Sequence, residues 1–292
     1  MTFPLITPDI PVIIQGITGR AGRSHSRNMR AYGTNIVGGV SARDDEVDGI
    51  PVFRTTAEAV KATGAKAAVA IVPALATLPT ILDCVGTGLK LIITLAEGMP
   101  VHDAVRARQA LRDTGLQWLG ACTPGLAIPG KLKLGFLPSV SMAPGNIGVM
   151  GKSGTLSYEV CHRIVSAGMG QSLWVGVGGD PVKGTRFADL MPTFEADDAT
   201  RAIVVIGEIG GDEEEELAEA IISQGYRKPV YALIAGSAAR EGVTMGHAGA
   251  IIHGETGTVA SKAKALTAAG AQVFSRIDAL ITALNEIRAV PA

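Results

Sequence analysis

Residues 12–22 have the sequence VIIQGITGRAG, in which a short apolar run is followed by glycines spaced three residues apart. Residues 12–14 are apolar and β-branched, and with Gln15 they form a short run typical of a parallel strand buried on both faces. A helix is predicted at residues 21–32. Glycine in the intervening turn lets a pyrophosphate approach the backbone, and the start of the helix offers N–H groups to it. The segment therefore predicts a strand–loop–helix unit that binds a phosphate-containing ligand.

The same alternation of strands and helices continues along the chain. Further strands are predicted at residues 35–37, 67–72, 89–94, 146–150, 172–177, 202–206, 229–234 and 271–274. Helices are predicted at residues 56–63, 77–86, 101–114, 156–167, 185–194, 213–224, 262–269 and 277–288. Such alternation is typical of βαβ units in a doubly wound sheet. We therefore expect an α/β protein with two doubly wound domains in tandem.

Residues 124–145 interrupt this alternation. They include prolines at positions 124, 129, 138 and 144 and show little periodicity. We interpret them as a connection between domains, with a hairpin at residues 128–135. The predicted division is a first domain at 1–123, the linker and hairpin at 124–145, and a second domain at 146–292.

The composition excludes several classes of protein. The chain has 292 residues, of which 47% are hydrophobic, and its 26 basic and 27 acidic residues give a net charge of -1. A generic nucleic-acid-binding protein would have a basic excess, and a disordered chain would have fewer apolar residues. We expect no membrane span, no secretory signal and a cytoplasmic location. The 3 cysteines lack metal-ligand spacing, so we expect reduced thiols and no metal site.

The first glycine loop leaves two ligand classes open. Its spacing is GxxGxxG rather than the dinucleotide pattern GxGxxG, and no acidic residue follows the second strand. Arg43 stands there instead, which suits a phosphorylated ribose. The ligand is then NADP or the 3′-phospho-ADP half of coenzyme A, unless the loop is a simple tight turn.

A second glycine loop, GKSGT at residues 151–155, also lies between a strand and a helix. It lacks the first glycine of a Walker A motif, because Asn146 stands there, and Thr155 excludes a GxSxG nucleophile elbow. The remaining features are a helix N-terminus, two hydroxyls and the nearby cation Lys152. They predict an anion site, most simply for a phosphoryl group; a plain Ser/Thr cap is the alternative.

Two further segments carry groups that suit phosphoryl chemistry. His247 lies among small residues in MGHAGA (245–250). The next histidine, His253, is not at metal-ligand spacing, so the imidazole is either structural or a nucleophile toward phosphorus. Glu208 follows a predicted strand, where it can orient an imidazole and stabilise its cationic form. The acidic residues 212–216 are expected to form a solvated first helical turn.

Taken together, these segments resemble the alpha subunit of succinyl-CoA synthetase and relatives such as malate–CoA ligase. The stretches that carry the resemblance occur in the family's order at residues 15–19, 31–34, 151–159, 176–181, 207–211 and 245–252. The resemblance implies a Rossmann-like CoA-binding domain followed by a flavodoxin-like domain. It also implies a separate beta subunit with an ATP-grasp fold, which binds ATP or GTP with Mg²⁺.

The resemblance further implies roles for individual residues. His247 is the phosphorylated nucleophile and Glu208 its orienting carboxylate. The expected contacts are Ser153, Gly154 and Thr155 for the phosphoryl group, Tyr158 for the organic acid, and Thr18, Gly19, Arg20, Ala21, Leu95, Ala96 and Glu97 for CoA. Arg43 replaces the lysine of the family's Pro-Gly-Lys-Gly-Gly loop, which is SARDD (41–45) here.

The leading hypothesis is an NDP-forming acid–CoA ligase alpha subunit acting on succinate or another small dicarboxylate. A variant of the same reaction uses malate or citrate. A different class, an NADP-dependent oxidoreductase, would use the first glycine loop and Arg43. A non-catalytic CoA-sensing module is the third alternative.

Overall fold

The computed structural model describes residues 6–43, 45–237, 246–252 and 257–288. The chain forms two compact units. The first extends to Leu137 and includes Val182–Thr185, whereas the second comprises Pro138–Pro181 and the residues from Arg186 onward.

The described part of the first unit is built on a largely parallel sheet. Its strands are β1 (Val12–Gln15), β2 (Ile36–Val40), β3 (Glu46–Val47), β4 (Ile50–Phe53), β5 (Ala67–Ala70), β6 (Leu91–Thr94) and β7 (Gln117–Gly120). Its helices are α1 (Arg20–Ala31), α2 (Thr56–Thr63), α3 (Thr77–Leu82) and α4 (Val101–Leu111), with a 3-10 turn at Ala74–Ala76. The strand order is β3-β4-β2-β1-β5-β6-β7, and β3 alone runs antiparallel to its neighbour. Without β3, this is the Rossmann order, in which the first strand lies at the switch point.

Local sequence explains the elements of this unit. All four residues of β1 are buried, including the polar Gln15, as expected for a central parallel strand. Thr55 and Glu58 form a capping box at the start of α2, and Gly64 ends this helix with a left-handed backbone conformation. Three strands are not predicted from the sequence: β3, β4 and β7. Strand β4 contains Pro51, and β7 has only two consecutive large apolar residues, so both lack a clear strand pattern.

A hairpin follows the first sheet in the chain. Strands β8 (Gly125–Ile128) and β9 (Leu132–Gly135) pair antiparallel. The hairpin predicted at residues 128–135 is therefore confirmed, although its first strand begins earlier. The Thr34 hydroxyl, just after α1, donates a 2.7 Å hydrogen bond to the Lys133 carbonyl and fixes the hairpin within the first unit.

The second unit contains a parallel sheet. Its strands are β10 (Pro144–Gly151), β11 (Gln171–Gly176), β12 (Ala202–Glu208), β13 (Val230–Ala235) and β14 (Gln272–Phe274). Its helices are α5 (Gly154–Ser166), α6 (Phe187–Ala196), α7 (Glu213–Gln224), α8 (Val259–Ala268) and α9 (Ile277–Arg288), with a 3-10 turn at Ser139–Ser141. These strands lie in the order β11-β10-β12-β13-β14. Counted within the unit, this is the flavodoxin order 2-1-3-4-5, whose switch point lies between β10 and β12.

The predicted fold class, two doubly wound α/β units in tandem, is confirmed. Helices α2, α7 and α9 have the predicted bounds, whereas α3 ends at Leu82 instead of continuing to residue 86. The cores are largely aliphatic; the central strands β5, β6 and β12 are buried along their whole length. Among the described helices, none combines the length and apolar character needed to cross a membrane.

Candidate active site

The two neighbouring central strands of the second unit end beside each other. Strands β10 and β12 are parallel, with Gly151 opposite Ile206. The GKSGT loop follows β10, and Glu208 is the last residue of β12. Ligands of doubly wound folds bind at the carboxyl ends of strands that flank the switch point. The predicted anion loop and the predicted carboxylate therefore occur together at this edge of the sheet.

His247 and Glu208 form a direct pair. The Nδ1 atom of His247 lies 2.9 Å from both carboxylate oxygens of Glu208. The side chains retain 22% and 11% of their accessible surface, so the pair is largely shielded and the imidazole still reaches solvent. A carboxylate accepts hydrogen bonds, which assigns the Nδ1 proton to the contact and the lone pair to Nε2. In this tautomer, Nε2 carries the lone pair that a nucleophilic histidine requires.

Small residues hold this histidine closely. A Cβ atom on Gly179 would lie 2.1 Å from Cγ of His247, so only glycine admits the ring in this position. A Cβ on Gly210 would lie 2.0 Å from the carbonyl oxygen of Gly249, two residues after the histidine. Gly179 and Gly210 thus permit close packing around the imidazole and its backbone. Met245 and His253 lie outside the described residues.

The start of α5 has the form of an anion site. Ser153 is the N-cap, and its hydroxyl accepts a hydrogen bond from the Leu156 amide. The first N–H groups of a helix lack intrahelical acceptors, and the helix dipole is positive there. Gly154 and Thr155 occupy this first turn, and the side chain of Thr155 is exposed. Capping and anion binding are therefore compatible, since the Ser153 cap satisfies only one of these donors.

Lys152 differs from its predicted role as a cation beside the anion. The residue is only 5% exposed, and Nζ lies 3.0 Å from Oε2 of Glu214. Burial opposes its charged form, but the nearby carboxylates of Glu214, Glu213 and Glu208 raise its pKa above the ordinary value. The ammonium is therefore charged and engaged by buried carboxylates.

The acidic residues 212–216 form the first turn of α7, as predicted, and Asp212 is exposed. The expected solvation is wrong for two of them. Glu213 and Glu214 are buried, with 3% and 0% of their surface exposed. Glu214 lies between the ammonium groups of Lys152 and Lys262. Buried carboxylates persist only when paired, and these lysines come from distant parts of the sequence. No sequence pattern within the acidic run distinguishes it from a solvated first turn.

Tyr158 lies on α5, one turn after the anion loop. Its ring packs edge-on against Trp174, with centroids 5.8 Å apart. Burial raises the pKa of its phenol above the ordinary value, so the hydroxyl stays protonated at neutral pH. The phenol is therefore a fixed neutral hydrogen-bonding group beside the loop.

The glycine loop of the first unit depends on two close contacts. Gly16 has φ +78°, and a Cβ there would lie 2.4 Å from the Ile71 carbonyl oxygen. A Cβ on Gly22 would lie 2.1 Å from the carbonyl oxygen of Gly16. Gly19 is the N-cap of α1, and a Cβ there would come no closer than 3.4 Å to a neighbouring atom. The loop thus brings the start of α1 onto β1 and leaves space above Gly19 for a ligand.

The other predicted CoA residues lie at the same edge of this sheet. Thr18 follows β1, and its hydroxyl is 2.7 Å from that of Ser41, which follows β2. Arg20 and Ala21 are exposed in the first turn of α1, and Arg43 is exposed after β2. Following β6 are Leu95, which is buried, Ala96, which is half-buried, and Glu97, which is exposed. An open edge with glycine, helix N–H groups and two arginines fits a large phosphorylated ligand.

Comparison with known families assigns both units. Residues 7–98 match a family model described as a CoA-binding domain, and residues 150–272 match one described as CoA-ligase. The chain is 43% identical to the alpha 1 subunit of ADP-forming succinate–CoA ligase from Archaeoglobus fulgidus, over 98% of this chain and 97% of that one. It is also 43% identical to the alpha subunit from Aquifex aeolicus, over 92% and 90% of the two chains. The chain belongs to the succinate–CoA ligase alpha-subunit family.

Membership makes the chain an acid–CoA ligase subunit with a CoA-binding domain. A further relative, the ADP-forming sulfoacetate-CoA ligase subunit of Bilophila wadsworthia, is 41% identical over 96% of this chain and 98% of its own. The fold also matches ATP citrate lyase from Methanosaeta concilii, with a TM-score of 0.88 at 21% identity. That match covers 98% of this chain and 50% of the citrate lyase chain, and it supports the fold alone. The match of residues 7–98 to a CoA-binding domain makes CoA, rather than NADP, the ligand class of the first unit.

Proposed function

We propose that this alpha subunit forms an acyl-CoA from succinate or another small dicarboxylate, using a phosphohistidine at His247. The observation that carries the proposal is the contact between Nδ1 of His247 and Glu208, at 2.9 Å from both carboxylate oxygens. A lone structural histidine does not need a largely shielded carboxylate to fix its tautomer. A histidine that attacks phosphorus does, because Nε2 must carry the lone pair.

Glu208 performs two tasks in this proposal. It accepts the Nδ1 proton in a hydrogen bond, which points Nε2 away from the carboxylate. It also stabilises the positive charge that develops on the ring as Nε2 bonds to phosphorus. When the phosphoryl group leaves, the same contact returns the ring to its neutral, nucleophilic tautomer.

Ser153, Gly154 and Thr155 are proposed to hold the oxygens of the phosphoryl group. The helix start supplies N–H donors and a positive dipole end, and the exposed Thr155 hydroxyl adds another donor. Positioned donors stabilise a transferring phosphoryl group because little other covalent chemistry is required of the protein. Tyr158 is proposed to donate a hydrogen bond to the carboxylate of the acid, which accepts the phosphoryl group from His247.

The first unit is proposed to bind CoA through Thr18, Gly19, Arg20 and Ala21 at the pyrophosphate, with Arg43 at the 3′-phosphate and Leu95, Ala96 and Glu97 lining the site. CoA supplies the thiol that displaces phosphate from the acyl phosphate. We place the functional division where the sequence places it, with CoA binding in residues 1–123 and the phosphohistidine in residues 146–292.

The nucleotide is proposed to be bound by a beta subunit with an ATP-grasp fold. The second unit has GKSGT in place of a complete Walker A motif, which fits a subunit that receives a phosphoryl group from a nucleotide held elsewhere. ATP or GTP with Mg²⁺ would be held mainly by that partner. The two subunits would form a heterodimer or heterotetramer.

The first experiment is phosphorylation with γ-labelled ATP in complex with the cognate beta subunit. We expect an acid-labile, base-stable label on this chain, lost in His247→Asn. The control is His102→Asn, which removes an exposed histidine of α4. Retention of the label by His247→Asn would refute the nucleophile, and absence of any label in an active complex would refute the mechanism.

The acid requires a separate experiment. Relatives named for succinate and for sulfoacetate are 43% and 41% identical to this chain, so overall identity does not choose between acids. Acid-dependent ADP release should be measured with succinate, malate, citrate and sulfoacetate at equal concentrations. We expect the highest kcat/KM with succinate; a preference of tenfold or more for another acid would change the proposed substrate and leave the phosphohistidine unaffected.

A further inference from the structure

A cluster of buried charges contacts the backbone of the segment that carries Glu208. The buried charge cluster consists of Lys152, Lys262, Glu213 and Glu214. Glu214 is its centre: its carboxylate lies 2.9 Å from Nζ of Lys152 and is also hydrogen-bonded by Nζ of Lys262. Glu214 and Lys262 are fully buried. Lys262 Nζ also lies 3.1 Å from Oε2 of Glu215, whose side chain keeps 29% of its surface.

Such a cluster needs a reason beyond folding. Replacing buried ion pairs by apolar side chains is often neutral or stabilising, because removing charges from water is unfavourable. Burial opposes ionisation of Glu214, yet the two ammonium groups hold its pKa below the ordinary value. The carboxylate is therefore charged, with both oxygens committed to fixed donors. A charge held this way is a rigid anchor.

The anchor attaches directly to the segment that carries Glu208. The backbone N–H of Glu208 donates a 3.1 Å hydrogen bond to Oε1 of Glu214. Lys262 Nζ donates to the carbonyl oxygen of Gly211, at 3.0 Å, on the other side of the same segment. A Cβ on Gly207 would lie 2.5 Å from Oε1 of Glu214, so glycine permits the approach. Both ends of residues 207–211 are thus fixed by one cluster.

The Glu214 carboxylate also contacts the anion loop at the start of α5, through Lys152. Lys152 is the residue between the end of β10 and the Ser153 cap of α5. Its ammonium binds Glu214, which in turn holds the Glu208 amide. A single carboxylate therefore connects Lys152 of the anion loop with Glu208, the residue that contacts the imidazole.

We propose that Glu214, held between Lys152 and Lys262, is a positioning residue that fixes the backbone of Glu208 and so aims its carboxylate at Nδ1 of His247. This inference rests on the proposed phosphohistidine function. Loosening of Glu208 would let the imidazole take the Nε2–H tautomer, which places the proton on the nucleophilic nitrogen. Phosphorylation would then slow even where the fold is intact.

The test compares Glu214→Gln with the control Glu215→Gln, each in the full alpha–beta complex. Glu215 also contacts Lys262, but no contact joins its carboxylate to the described Glu208. Two quantities are measured: the tautomer of His247, from ¹⁵N chemical shifts of labelled histidine, and the first-order rate of His247 phosphorylation at saturating ATP. In Glu214→Gln we expect a mixed tautomer and a rate lowered at least about tenfold, and in Glu215→Gln a rate within about threefold of the parent.

A second variant covers the case in which Glu214→Gln does not fold. Lys262→Met keeps the Lys152–Glu214 pair. It removes the donor to the Gly211 carbonyl and one of the two ammonium groups that bind Glu214. We expect a partial shift of the tautomer and a rate reduced between the values of the other two variants. Folding is checked by thermal denaturation of each complex.

Two outcomes would overturn the proposal. One is a folded Glu214→Gln complex with a parental tautomer and rate; the other, if that variant does not fold, is a destabilised Lys262→Met complex with both quantities unchanged. Either would make the cluster purely structural. Failure of the proposed function gives a different result. In that case even the parent complex is not phosphorylated, whereas the ¹⁵N chemical shifts still show whether each variant changes the tautomer of His247.

Discussion

The two glycine loops follow the same strand–loop–helix plan but differ in what supports them. In the first unit, the loop at residues 16–22 is supported by close backbone contacts that only glycine allows, and its helix begins at the exposed N-cap Gly19. In the second unit, the loop at residues 151–155 contains the buried Lys152 and has a serine cap. Under the proposed function, the first loop only binds a ligand, and it is open and made of backbone. The second loop would hold a transferred phosphoryl group, and it is fixed by buried charges.

The largest effect should come from removing the charge that orients the nucleophile. Glu208→Gln keeps the size of the side chain but allows its amide to face Nδ1, which favours the wrong tautomer. We expect the rate of His247 phosphorylation to fall by about 10²–10⁴, the range typical for loss of a positioned acid–base group. Rapid-quench measurement with labelled ATP checks this. Glu219→Gln, an exposed position on α7, is the control; equal rates in both variants would remove Glu208 from the mechanism.

A steric change behind the imidazole should have the next largest effect. Gly179→Ala places a methyl group where Cγ of His247 would be 2.1 Å away, so the ring must move. Misplacement of a reacting group by about 1 Å lowers rates by about 10²-fold. We expect slow phosphorylation with unchanged CoA affinity, measured by calorimetric titration. Parental phosphorylation in this variant would show that the ring has another productive position.

The sequence predicts the residues of the candidate site better than the buried ion pairs that hold them in place. His247 and Glu208 are identifiable because glycines frame both and because strand ends gather function in α/β folds. The pairing of Glu214 with Lys152 and Lys262 joins positions 62 and 48 residues apart, and no local period encodes it. An acidic first turn is ordinarily solvated, since it suits the helix dipole without any partner. The expected exposure of Glu213 and Glu214 is wrong for that reason.

The secondary structure shows the same difference between local features, which the sequence predicts, and features that depend on distant residues. Long apolar strands such as β12 and capped helices such as α2 are local features, and the sequence predicts them closely. Strand β7 contains Trp118 and Leu119 between a polar residue and a glycine, which is too short a pattern to recognise. It is a strand because it pairs with β6. Pairing partners distant in sequence, rather than local propensity, define such short strands.

A pair of alanine substitutions separates binding from support in the first loop. Gly22→Ala would place a Cβ 2.1 Å from a backbone oxygen, so we expect destabilisation of about 1–3 kcal/mol from overpacking. Gly19→Ala meets only ordinary contact at 3.4 Å, so its destabilisation should stay at about 1 kcal/mol or less, from a poorer N-cap. Its methyl group instead obstructs the pyrophosphate, and we expect CoA affinity to fall about tenfold, or ~1.4 kcal/mol. Thermal denaturation and CoA titration together check both effects, and unchanged affinity in Gly19→Ala would place the pyrophosphate elsewhere.

The smallest expected effect concerns Arg43, whose position defines the phosphate it can reach. The residue is exposed after β2, so solvent weakens its contribution, and Arg43→Ala should lower CoA affinity by only about fivefold, or ~1 kcal/mol. If the guanidinium binds the 3′-phosphate, dephospho-CoA should bind the parent and the variant equally well, because the group that Arg43 recognises is absent. Lys61→Ala removes an equally exposed charge from α2 and controls for long-range attraction. Equal losses for CoA and dephospho-CoA would instead place Arg43 at the pyrophosphate, where the first loop already offers backbone donors, and the 3′-phosphate would then require another residue.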